Sequence, residues 1–139
     1  MVMSQLYPAI FATAPKGPRL VATCVGGELH EIGARMVADF FEMEGWDTYF
    51  LGANTPTDSI LRAVDERRAD ILAVSATMTF HIERVRELFA ATRQSGLRVR
   101  VMVGGYPFNI APELWRSVGA DGYAPNAQDA ISVAERLIT

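Results

Sequence analysis

LVATCVGGELHEIGARMVADFFEMEG, residues 20–45, is the stretch whose reading decides the fold. Its first six residues, Leu20 to Val25, form a short, continuous apolar run rich in β-branched residues, the pattern of a buried strand. From Ile32 onward the apolar residues Ile32, Met36, Val37, Phe40 and Phe41 fall on one helical stripe, and Gly45 ends it. Between strand and helix, GGELHEIG sets one of the chain's only two histidines between two glutamates in a glycine-flanked turn. That turn either carries an ordinary polar loop residue or presents an imidazole to something.

The same strand-then-helix unit recurs along the chain. Asp47 to Leu51 reads as a second strand, followed by TDSILRAVDERR with Thr57 as N-cap and Asp58 in the first turn. Ile71 to Ser75 is a third strand, and HIERVRELFAATRQSG a helix with Ile82, Val85, Leu88 and Phe89 facing inward. Arg100 to Val103 leads to Gly104 and Gly105, then the short helix APELWRSVG. Gly122 to Ala124 is a brief fifth strand, and NAQDAISVAERLI closes the chain. Five strands alternating with five helices predict a doubly wound α/β domain with a five-stranded parallel sheet and helices on both faces. The expected strand order, 2-1-3-4-5, is the flavodoxin-like, Rossmann-like arrangement, whose ligands sit at the carboxyl ends of strands 1 and 3. Residues 1–17 show no period and read as an N-terminal extension, with the domain proper at residues 18–139.

Composition narrows the ligand. In 139 residues, half of them apolar, there is material for a full core without metal or disulfide staples. A net charge of -3 with interspersed signs lacks the basic face of a nucleic-acid module. No run reaches the roughly 20 apolar residues of a membrane span. The single cysteine, Cys24, excludes an internal disulfide and suits a reducing, cytoplasmic setting, where it reads as a packed thiol.

The loops after strands 1, 3 and 4 then have to be matched to a chemistry. Strand 3 ends in Ser75, where a phosphoacceptor receiver needs an aspartate. The first turn supplies neither G-x-G-x-x-G nor the hydroxyl side chains of a flavin phosphate loop. It offers an imidazole and carboxylates. Imidazole is the commonest metal ligand, and a carboxylate often holds its second nitrogen, a role open to Glu28 beside His30. The only other histidine, His81, begins the third helix, so the ligands for a tetrahedral zinc site are too few. A cofactor bringing its own equatorial ligands needs only one protein donor.

GELHEIG resembles the D-x-H-x-x-G signature of the cobalamin-binding (vitamin B12) domain family, with Glu28 in the aspartate position, His30 as the histidine and Gly33 as the glycine. Ser75 and Thr77 stand where that family has S-x-L, and Gly104-Gly105 where it has a glycine pair. The likeness runs from about Pro18 to GADGYAPNAQDA.

The resemblance implies a cobalamin bound with its own base displaced and its nucleotide tail in a slot between strands 1 and 3. His30 is then the metal ligand, with Glu28, Leu29, Glu31, Ile32 and Gly33 around it. Ser75, Thr77 and Met78 meet the tail, Ser75 by a hydrogen bond to its base. Gly104 and Gly105 let the tail pass close to the backbone, with Tyr106 and Phe108 beside them. Gly122 and Tyr123 line the far end. The methyl-, adenosyl- and hydroxo- forms all remain open, and haem is an alternative macrocycle.

LGANTP and VGGYPFN are similar to the sensory and transcriptional-regulator branch, so the leading expectation is a light- or ligand-responsive module without catalysis of its own. The alternative is a corrinoid methyl carrier associated with a methyltransferase. Either role implies a protein partner, or a helical or effector domain outside this chain.

Overall fold

In the computed structural model, which describes residues 17–25, 31–53, 55–76, 81–111 and 113–139, strands and helices alternate. The strands are β1 (Arg19–Val25), β2 (Asp47–Ala53), β3 (Ile71–Ala76), β4 (Arg100–Gly104) and β5 (Gly122–Tyr123). The helices are α1 (Glu31–Met43), α2 (Thr57–Arg67), α3 (Ile82–Gln94), α4 (Tyr106–Ile110), α5 (Leu114–Ser117) and α6 (Ala127–Ile138). All four strand pairings are parallel and the order is β2-β1-β3-β4-β5, as the alternation predicts.

Side chains alternate between the two faces of the sheet, and each face has its own core. Val21, Leu72, Val74, Val101 and Val103 pack against Ile60 and Val64 of α2 and Val85, Leu88 and Phe89 of α3. Leu20, Ala22, Ile71 and Met102 face the other way, toward Ala38 and Phe41 of α1 and Ala130 and Ala134 of α6. The two-residue β5 is held by Asp121, whose Oδ2 accepts from the Val101 N–H at 2.8 Å. Its Oδ1 accepts from Arg93 of α3 at 3.1 Å, so one carboxylate joins strand, loop and helix.

Three details differ from the sequence reading. The buried stripe of α1 is Ala34, Ala38 and Phe41, while Met36 is 55% exposed and Phe40 half-buried. The helix is rotated so that small residues meet the sheet, a choice periodicity alone does not reveal. At α2 the N-cap is Pro56, with no side-chain cap bond, and Thr57 is the first helical residue. Finally, YPFNI forms the additional short helix α4, with Pro107 in its first turn, where proline's fixed φ suits a helix start.

Two backbone positions carry opposite strain. Gly105 has φ 115°, and a Cβ there would overlap the Ala76 carbonyl, so the ends of β3 and β4 approach this closely only with glycine. Arg68, the C-cap of α2, takes the left-handed conformation (φ 52°, ψ 51°) that glycine adopts without penalty. Gly105→Ala is therefore expected to cost about 2 kcal/mol or more, whereas Arg68→Gly should stabilise by about 1 kcal/mol. Urea denaturation of both variants checks the pair of signs.

Candidate functional site

The layer between the sheet and helices α1 and α6 is filled at one end and hollow at the other. Where the strands begin, Leu20, Ile71, Phe41 and Trp46 are all buried, the two aromatic rings meeting edge to face at 5.0 Å. Toward the carboxyl ends of the strands the residues shrink. Ala22, Ala73 and Met102 lie side by side in register on β1, β3 and β4, and Ser75 pairs with Gly104 one row further on. The helices answer with Gly33, Ala34 and Val37 from α1 and Ala127 and Ala130 from α6. Ala124, Pro125 and Asn126 complete the wall.

Small residues on both layers leave a cavity of about 220 Å³, open at the carboxyl ends of β1, β3 and β4. This is where winding reverses in a doubly wound sheet. Its walls are mainly apolar, with a hydroxyl group at Ser75 and an amide at Asn126. Thr23 Oγ1 donates to the Gly52 carbonyl, 3.4 Å away. Asn126 is the N-cap of α6, its Oδ1 accepting from the Asp129 N–H at 2.8 Å. Among the described residues the Ser75 hydroxyl forms no hydrogen bond, which leaves it available to a guest.

Gly33, the third residue of α1, lines the slot and is exposed. A Cβ on this residue of α1 would meet nothing within 4 Å. The protein's own packing therefore does not require a glycine there, although glycine inside a helix is costly relative to alanine. Gly122 is the opposite case: its Cβ would come within 2.7 Å of Val133 Cγ1, so this glycine lets α6 lie close on β5.

Of the residues singled out from sequence, the structure brings Gly33, Ser75, Gly104 and Gly105 together around the slot. Glu28, Leu29, His30, Thr77 and Met78 lie outside the described residues. Glu31 and Ile32 begin α1 and Tyr106 begins α4, all at the carboxyl edge of the sheet. Three expected lining residues sit elsewhere. Phe108 is fully buried in the core on the opposite face, because α4 turns that side chain under the sheet. Gly122 is covered by α6. Tyr123 packs on the Phe108 side, its hydroxyl donating to Asn109 Oδ1 at 2.7 Å. His81 stands at the N-cap of α3 without a side-chain cap bond. The lining residues missed include Ala22, Ala34, Ala73 and Ala127, whose only signal is smallness, and Met102, an apolar side chain with no chemical signal of its own.

A family model described as B12 binding domain matches residues 18–132. Dimethylamine corrinoid protein 2 of Methanosarcina mazei is 34% identical over 140 residues, spanning 99% of this chain and 64% of that protein. Dimethylamine corrinoid protein 3 of the same organism is 31% identical over 139 residues, spanning 98% of this chain and 81% of that protein. Among solved structures, a cobalamin-binding protein from Desulfitobacterium hafniense superposes with a TM-score of 0.81 at 29% identity, covering 99% of this chain and 65% of that one. The chain thus spans about two thirds of the first of these relatives. The lean toward a sensory and transcriptional-regulator branch is corrected by these relatives, which are corrinoid proteins of another kind. Of these two segments, Leu51, Gly52 and Ala53 end β2, and Val103 to Asn109 run from β4 into α4.

Because the Gly33 Cβ position is open, Gly33→Ala should raise the stability of the ligand-free chain by up to about 1 kcal/mol. A urea midpoint at or below that of the wild type would mean that the slot wall already uses this space.

Proposed function

The chain belongs to the B12-binding domain family, and on that premise we propose that it is a corrinoid methyl carrier serving a separate methyltransferase. The observation that carries the binding mode is the slot of small residues between α1, α6 and the carboxyl half of the sheet. A flat heteroaromatic base needs a narrow apolar space with few polar groups, and the slot offers this shape with the Ser75 hydroxyl inside it. The residues present therefore fit the nucleotide tail of a corrinoid.

In this reading His30 would hold the cobalt through its imidazole and Glu28 would orient that ring, fixing which nitrogen faces the metal. Ser75 donates to the base, and Gly33 keeps the start of α1 clear for the macrocycle. A bound corrinoid supplies cobalt able to accept a methyl group and hand it on. The carrier role, rather than a sensory one, is supported by the names of the relatives, which are dimethylamine corrinoid proteins. The methyltransferase partner follows from that role, since a carrier needs an enzyme to load it and one to unload it.

Titration with hydroxo-cobalamin, followed by visible spectroscopy with haem as a control, tests binding. The wild-type chain should take up cobalamin with its base displaced. His30→Ala should keep the tail bound while losing the histidine-ligated cobalt spectrum. Ser75→Leu, which fills the slot, should abolish uptake, and Gly33→Ala should weaken it on the order of tenfold. Uptake by Ser75→Leu equal to wild type would contradict the slot as the binding site. Bound methyl-cobalamin that gave up no methyl group to a methylamine-type methyltransferase system would contradict the carrier role.

A further inference from the structure

Corrinoids differ in the base that ends their nucleotide tail, and the slot has one feature that bears on which base it admits. Its floor is the in-register row Ala22, Ala73 and Met102. Two of these three contribute only a methyl group. Met102 alone supplies a long side chain, and it is buried, 3% exposed, between slot and core. Strand alternation fixes its direction: Val101 and Val103 point into the core on the α2 and α3 face, so Met102 points to the slot face.

The neighbours of Met102 cannot yield in its place. Beyond it in the same row is Gly122, over which α6 lies so closely that a Cβ would reach 2.7 Å from Val133 Cγ1. Beneath the floor, Leu20, Ile71 and Phe41 are fully packed. The remaining lining groups from the sheet are short side chains and glycines at fixed backbone positions. A methionine has three rotatable bonds and a polarizable thioether, and it adapts to irregular neighbours better than any branched residue. Among the sheet residues that line the slot, Met102 is thus the one adaptable side chain, and it sets the depth available to a guest.

We propose that Met102 is a specificity-determining residue that matches the depth of the slot to the tail base, so that this chain accepts corrinoids whose benzimidazole bases differ by one or two methyl groups. The inference rests on the corrinoid reading above and adds to it the class of tail that is tolerated. Its adaptability, rather than its hydrophobicity alone, does the work. Replacing it by a stiff residue of similar volume should therefore sharpen selection, and shortening it should shift selection toward larger bases.

The test measures affinities for cobamides ending in benzimidazole, 5-methylbenzimidazole and 5,6-dimethylbenzimidazole, with tailless cobinamide as the fourth probe. The wild type should bind the three tailed forms within a few-fold of one another. Met102→Ala should change the ratio of dimethylbenzimidazole to benzimidazole affinity on the order of tenfold in favour of the larger base, without a change for cobinamide. Met102→Ile conserves volume and keeps the fold if the shorter variant does not, and it should spread the three affinities apart in favour of the smallest base. Ratios equal to wild type in the folded variants would overturn the proposal and leave the corrinoid reading standing. A parallel loss for all four probes would overturn it as well, by showing a general structural role. A wild-type chain that bound none of the probes would remove the reading on which the proposal rests.

Discussion

The close packing of α1 and α6 on one face of the sheet governs the rest of the molecule. Phe41 and Trp46 meet edge to face over Leu20 and Ile71 and fix the distance between helix layer and sheet where the strands begin. Dense packing transmits that spacing along the whole layer. Toward the carboxyl ends the same spacing is occupied by Ala22, Ala34, Ala73, Ala127 and Gly33, which are too short to fill it. The slot is the difference between a layer distance set by aromatic residues and a lining made of methyl groups and hydrogens. An unfilled cavity of that kind lowers stability, and the chain retains it at the switch point where a doubly wound sheet binds ligands.

The other devices hold this geometry open. Gly122 lets α6 settle on β5, Asn126 caps the first turn of α6, and Asp121 pins the two-residue β5 to β4. Gly105 brings the ends of β3 and β4 together at the slot mouth. On the opposite face, α2 and α3 pack Val64, Val85, Leu88 and Phe89 into a complete core. One face thus provides stability, and the other provides room.

The architecture was legible in the sequence because buried parallel strands are short apolar runs that stand apart from the polar helices between them. Ile71 to Ser75 and Arg100 to Val103 could hardly be read otherwise. The rotation of α1 was not legible: Met36 and Phe40 compete with Ala34 and Ala38 for the inward stripe, and only the depth of the slot decides for the small residues. Phe108 was read as a site residue because it follows Gly104-Gly105, but α4 turns it into the opposite core. The alanines of the slot carry no chemical signal alone. Smallness acquires meaning only once two layers are known to face each other, and that is a property of the assembled sheet. Gly33, Ser75 and the glycine pair were found because each stands where the motifs of the resembled family place a glycine, a serine and a glycine pair.

The central claim is that the hollow end of the α1 and α6 layer receives the tail of a corrinoid. Amide hydrogen exchange with and without hydroxo-cobalamin tests it most directly, because it reports where on the backbone the ligand settles. Bound cobalamin should protect the end of β3, Gly104 and Gly105, and the first turns of α1 and α6, while the interiors of α2 and α3 exchange as before. Protection centred on α2 and α3, or none at the mouth of the slot, would contradict the account.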